Sequence, residues 1–176
     1  MNLYFLRHGS AGNRRANPLV DAKRPLDKEG LRQCWLIAQY INALDLQFDA
    51  VLSSPLKRAL QTASRVANEI GHDARITITK ALTPSATVKD FQRLLGDYSQ
   101  MDNVMVVGHN PNLAQFLSAT VGANGTRPAI RLRKGSLARV DMSQRPPTLQ
   151  WLVAPTPLDR FYVSAGKSSR RKTSRK

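Results

Sequence analysis

Two residues that can handle phosphate, Arg7 and His8, follow directly on the apolar run Leu3 to Leu6 near the start of the chain, and Gly9 comes next. A neutral imidazole, with an ordinary pKa of about 6.5, is a nucleophile at neutral pH, and a guanidinium grips phosphate oxygens in pairs. Arg7-His8-Gly9 therefore reads as a phosphate-handling turn with a histidine nucleophile, and Gly9 would allow close backbone approach to an anion because it has no Cβ. Alone, the triplet could equally be a solvated turn. Two later segments decide the reading: Ser53-Ser54-Pro55-Leu56-Lys57-Arg58 and Gly108-His109-Asn110-Pro111. Each also follows an apolar run, Ala50 to Leu52 and Val104 to Val107. Three strand ends thus present polar groups that suit one anion, and α/β folds place ligands at such ends.

The elements that must position these groups are legible as periodicity. Continuous apolar runs suit buried strands of a parallel sheet, and they alternate with helical patterns through the first two thirds of the chain. Leu31, Trp35, Ala38, Ile41 and Leu44 predict one helix face after a polar loop from Ala11 to Lys23. Ser54 is expected to cap a second helix, with Pro55 at its first position, Leu56, Leu60, Ala63, Ala67 and Ile70 facing inward, and Gly71 ending it. Arg58 then falls on the first helical turn, from where it can reach back to the sheet edge. A third strand is expected over Arg75 to Leu82, a short helix through Phe91, Leu94 and Leu95, and another through Leu113, Phe116, Leu117 and Val121. Candidate strands at Ala129 to Leu132, Leu137 to Met142 and Thr148 to Val153 suggest an antiparallel edge. The fold class expected is α/β, a three-layer α/β/α sandwich on a mostly parallel sheet.

The chain of 176 residues suits one domain, expected over residues 1–163. No run approaches the twenty apolar residues of a membrane span, and no secretory signal pattern opens the sequence, so the cytoplasm is the expected location. Cys34, the single cysteine, excludes an internal disulfide and reads as a core residue. The net charge is +15, and six of those charges belong to the last ten residues, which contain no acid. Residues 164–176 are therefore expected to be a disordered basic tail that either contacts acidic partners or serves solubility.

Taken together, Arg7-His8-Gly9, the stretch Ser54 to Ala63 with Arg58 in it, Gly108-His109-Asn110-Pro111 and the Asp21 to Leu26 segment resemble the histidine phosphatase superfamily, phosphoglycerate mutase-like in fold, and within it the short SixA-type phosphohistidine phosphatases. The resemblance spans roughly residues 1–160. It implies that His8 is the nucleophile and forms a phosphohistidine intermediate that water hydrolyses. It implies further that Arg7, Arg58 and His109 neutralise the phosphoryl group in flight, and that Arg7, Gly9, Arg58, His109 and Asn110 bind phosphate. No metal or other cofactor is implied, since these cations do the work a magnesium ion does elsewhere and no carboxylate cluster marks a metal site.

One departure bears on substrate. Mutases and many small-molecule phosphatases of the superfamily this chain resembles carry an acid in the loop after the third strand, which protonates the leaving alkoxide. Here Lys80 to Thr87 contains none, and Asp21 and Asp90 are the remaining candidates for a proton donor. Asp21 could equally pair with Arg24. A substrate with an easy leaving group fits: protonated phosphoimidazole departs as neutral imidazole. The short stretch before Val104 also leaves little chain for a lid, which favours a phosphorylated protein such as a histidine phosphotransfer domain. Two other readings stand beside it: a small-metabolite phosphomonoesterase on the same fold, and a basic nucleic-acid-binding module with a vestigial phosphate pocket. Asn13, Arg14 and Arg15 suit either a pocket wall or open solvent.

Overall fold

The computed structural model describes residues 1–123 and 125–162; the expected tail over 164–176 lies outside the described residues. Its centre is a six-stranded sheet in the order β3-β2-β4-β1-β5-β6. The strands are β1 (Asn2–Arg7), β2 (Ala50–Ser53), β3 (Thr77–Ile78), β4 (Asn103–Gly108), β5 (Leu137–Asp141) and β6 (Thr148–Val153). β1, β4, β2 and β3 run parallel, and β5 and β6 close the sheet as an antiparallel edge. Alternate residues of one strand serve opposite cores. Tyr4, Leu6, Val51, Met105 and Val107 pack under α2 (Lys28–Ala43) and α3 (Lys57–Glu69). Leu3, Phe5, Leu52, Val104 and Val106 pack under α4 (Val88–Gly96) and α5 (Asn112–Val121), where Phe91 and Phe116 stack at 4.6 Å. Period-two alternation between two covered faces makes every strand position apolar, and the result is the expected three-layer sandwich.

Register then aligns the strand ends. Arg7 lies opposite Gly108, and Ser53 opposite Val107. The residues just beyond continue the ladder, His8 N–H donating to Gly108 O at 3.1 Å and Ser54 N–H to Val107 O at 3.0 Å. One edge of the sheet therefore carries the polar residues of all three segments.

Several local expectations are corrected. The buried residues of α2 are Gly30, Cys34, Leu36, Ile37, Ala38 and Ile41, whereas Leu31, Trp35 and Leu44 of the expected face remain 42%, 39% and 44% exposed. The helix is rotated because its first turn docks on the loop after β1: a Cβ on Gly30 would lie 2.0 Å from Ser10 O. Trp35 instead meets Tyr162 of the helical stretch 155–162, their rings 5.7 Å apart. α3 turns Arg58, Ala59, Thr62, Ala63, Val66 and Ala67 inward; the polar members of that face belong to the site. It starts at Lys57, with Leu56 at the N-cap and no side-chain cap, so Ser54 is not its cap. The third strand shrinks to Thr77–Ile78, since the chain turns into a 3-10 helix at Lys80–Leu82. Residues 129–132 form no strand, and the Leu132 carbonyl accepts instead from the side chains of Arg7 and Asn110. The loop from 11 to 23 contains a short helix, α1 (Pro18–Ala22), capped by Asn17.

Candidate active site

His8 leaves the end of β1 only 6% exposed, and its Nδ1–H donates to the Gly9 carbonyl at 2.7 Å. A carbonyl can only accept, so the proton resides on Nδ1 and the Nε2 lone pair is left for chemistry. The His109 ring, at the end of β4, lies 4.9 Å away, centroid to centroid. Its Nε2 meets Ser54 Oγ at 2.8 Å, while Nδ1 is buried without a partner in the protein. A serine hydroxyl donating to Nε2 would leave the proton of the neutral ring on the buried Nδ1. Burial, opposed by the Gly9 carbonyl and reinforced by Arg58, Arg7 and Arg24, holds the His8 pKa down at about 3. Burial first, and then His8 and the same arginines, lower that of His109. Both rings are neutral at physiological pH.

The two arginines are fastened by one nitrogen each. Arg7 Nη1 donates to Leu132 O at 2.9 Å, and Arg58 Nη1 to Asp21 O at 3.0 Å and to Asp21 Oδ2 at 3.3 Å. Their Nε atoms are buried without a partner in the protein. Both arginines line the cavity below, where a guanidinium suits an anion. A cavity of about 550 Å³ is lined by Arg7, His8, Arg58, His109 and Asn110 on its floor, with Asn13, Arg14, Arg15, Asp21, Arg24 and Lys134 around them.

The candidates read from the sequence divide accordingly. Arg7, His8, Arg58 and His109 converge on the cavity. Gly9 does not offer its backbone to an anion: its N–H donates to Thr62 Oγ1 at 3.1 Å, and a Cβ there would come 2.9 Å from Gly30 O. The missing side chain serves the packing of α2. Asn110 lines the cavity, and one hydrogen of its Nδ2 goes to the Leu132 carbonyl that it shares with Arg7, at 3.0 Å. Asp21 accepts from Arg15 N–H at 2.9 Å and from Arg24 Nε at 2.9 Å besides Arg58. The Arg15 N–H, then the Arg24 and Arg58 guanidiniums, hold its carboxyl at about 2. It has no proton to donate at neutral pH. Asp90 caps α4 in a reciprocal pair with Thr87, whose hydroxyl and N–H keep it below the usual carboxylate range, and it does not line this cavity.

Lys134 and the Leu132 carbonyl escaped the sequence reading, Arg24 was expected only as the partner of Asp21, which it is, and Ser54 only as a polar strand-end residue that caps a helix. Ser54 resembled a helix cap, although a second polar residue between a buried strand and a proline was a signal. Nothing local marks a carbonyl 125 residues away from Arg7.

The family model of the histidine phosphatase superfamily (branch 1) matches residues 3–83. An uncharacterised protein of Picosynechococcus sp. is 33% identical over 140 residues, which is 78% of this chain and 82% of that one. The phosphohistidine phosphatase SixA of Escherichia coli (strain K12) is 27% identical over 161 residues, 88% of this chain and 94% of that protein. The solved structure of the protein histidine phosphatase SixA with tungstate superposes with a TM-score of 0.78 at 25% identity, covering 90% of this chain and 99% of that one. The fold, with its site at one end of a mostly parallel sheet, is thus the phosphoglycerate mutase-like sandwich. This chain belongs to the histidine phosphatase superfamily and is of the SixA type.

Proposed function

We propose that this protein is a phosphohistidine phosphatase that acts on phosphorylated proteins in the cytoplasm, with residues 1–163 as its catalytic domain. The observation that carries the reading is His8: neutral, its Nδ1–H bound by the Gly9 carbonyl, set beside Arg7, Arg58 and His109 in a cavity whose one carboxyl is ionised. In the first step Nε2 of His8 attacks phosphorus and the P–N bond of the substrate breaks. The leaving ring, already protonated on its other nitrogen, departs as neutral imidazole and needs no donor from the protein. Water then attacks phosphohistidine-8, releasing orthophosphate and restoring the neutral imidazole. Arg7, Arg58 and the Nδ1–H of His109 hold the three equatorial oxygens during both transfers, which makes the proposed chemistry independent of metal. Asn110 and Asp21 position these groups.

An ester substrate would release an alkoxide and require a protonated acid, which neither Asp21 nor Asp90 supplies. The deciding experiment measures phosphate release from a phosphohistidine phosphotransfer protein, a phosphoserine peptide and an aryl phosphate, using wild type and His8→Ala. Turnover of the phosphohistidine protein, abolished in His8→Ala, with an acid-labile phosphoenzyme on rapid quench, is the expected result. Turnover of the esters alone would make this a metabolite phosphatase and refute the assignment.

A further inference from the structure

Two segments that reach the cavity, one through Arg14, Arg15 and Arg24 and the other through Lys134, carry basic strips. One is the loop after β1, where Arg14 and Arg15 are exposed and Arg24 is half-buried. Its acid, Asp21, is already committed to Arg24 and Arg58. The other is Arg131, Arg133 and Lys134, held at the site because Leu132 between them is buried and its carbonyl receives Arg7 and Asn110. The same segment clasps the end of β1, Gly135 N–H donating to Arg7 O at 3.1 Å. Among the described residues no ion pair involves Arg14, Arg15, Arg131, Arg133 or Lys134.

Arg131 and Arg133 do not line the cavity, so the positive charge continues past the reach of a small phosphorylated molecule. Between cavity and solvent, α1 exposes two aliphatic side chains, Leu19 at 77% and Val20 at 53%, while its Pro18 and Ala22 face the cavity. Cations flanking an aliphatic step match a protein surface better than a nucleic acid, whose bases would call for aromatic stacking partners that this rim lacks.

We propose that this rim is a docking surface for the acidic face of a phosphoprotein, whose carboxylates meet Arg131, Arg133, Arg14 and Arg15 while an apolar side chain beside its phosphorylated residue seats on Leu19 and Val20. The proposal rests on the phosphohistidine reading and adds the specificity determinants. Charge at a rim governs encounter, so its effect falls on KM and on salt dependence.

The test compares two substrates, a net-acidic histidine phosphotransfer domain phosphorylated with phosphoramidate, and phosphoimidazole. Each is assayed with wild type, the double variant Arg131→Glu/Arg133→Glu, and Leu19→Asp. For both variants the KM for the phosphoprotein is expected to rise about tenfold or more with kcat kept, and phosphoimidazole turnover to stay within about twofold of wild type. Added salt should raise KM for the phosphoprotein in wild type and leave the double variant nearly flat. An unchanged phosphoprotein KM in active variants would overturn the docking surface alone. Equal loss on both substrates would overturn it too, by placing these residues in the chemistry. An RNA oligonucleotide that inhibits wild type and spares the double variant would reassign the rim to nucleic acid. Wild type that cleaves aryl phosphate but no phosphohistidine would remove the functional reading, and this proposal with it.

Discussion

Replacing Ser54 by alanine isolates what the second histidine contributes. Ser54 is wholly buried at the end of β2, and its Oγ meets His109 Nε2 at 2.8 Å, with only a weaker contact from Leu56 N–H at 3.4 Å. Ser54→Ala removes that hydroxyl and little else. Without it, nothing in the protein favours the tautomer with hydrogen on Nδ1, and a lone pair can face the phosphoryl oxygens in place of a donor. A hydrogen bond to a buried polar group is worth about 1–3 kcal/mol, which corresponds to roughly 5- to 150-fold in kcat/KM. Most of that loss should appear in kcat, because the donor matters most when charge develops on the oxygens. The assay is steady-state phosphate release at neutral pH, with Ser54→Thr as the hydroxyl-restoring control and circular dichroism to confirm folding. Activity of Ser54→Ala within about twofold of wild type would refute the argument from the tautomer.

Three further outcomes follow from the same geometry. Asp21→Asn loosens Arg58 without removing any proton donor, so kcat should fall by about tenfold or more to the same degree for a phosphohistidine and an aryl phosphate; a loss confined to the ester would show Asp21 acting as an acid. Gly30→Ala drives a Cβ against the Ser10 carbonyl and should lower unfolding stability by about 1–3 kcal/mol in urea, with activity falling as the His8 loop shifts; unchanged stability would mean that α2 is free to slide. His8 and His109 both titrate below their ordinary value in the folded protein, so the unfolded chain takes up their protons first as pH falls. Their contribution is complete above about pH 6.5 and is lost progressively toward pH 3. Urea midpoints should accordingly fall between about pH 6.5 and pH 4.5, less steeply in His8→Asn; the same slope in both proteins would show that His8 is not buried as a neutral ring.

The resting electrostatics of the site have a simple logic. Five guanidinium groups line the cavity and would repel one another, and the three of them that are not exposed, Arg7, Arg24 and Arg58, are held by one carboxylate, Asp21, and several backbone carbonyls. Arg24 Nη1 alone takes Ala11 O at 2.7 Å and Gly12 O at 3.0 Å. Asp27 secures the loop from the other side, accepting from Ser10 Oγ, Gly12 N–H and Gly30 N–H while capping α2. The cations are thus fixed before any phosphate arrives, and little reorganisation is left for the transfer itself.

By itself the sequence determined the central strands, the alternation of strand and helix, and the convergence of Arg7, His8, Arg58 and His109. Buried parallel strands must be apolar at every position, so β1, β2 and β4 announce themselves, and their polar exits mark the one sheet edge where a ligand can sit. Tertiary structure alone decided which partner each polar group takes. Ser54 pairs with a histidine 55 residues on, Asp21 with an arginine 37 residues on, and the Leu132 carbonyl with Arg7 and Asn110. It also turned α2 so that Gly30 meets the catalytic loop, and it converted Gly9 from an expected anion contact into a packing requirement. Periodicity reports which residues avoid water, a property each segment carries alone. Hydrogen-bond partnership depends on register and on the docking of segments far apart in the chain, and these exist only once the sheet has formed.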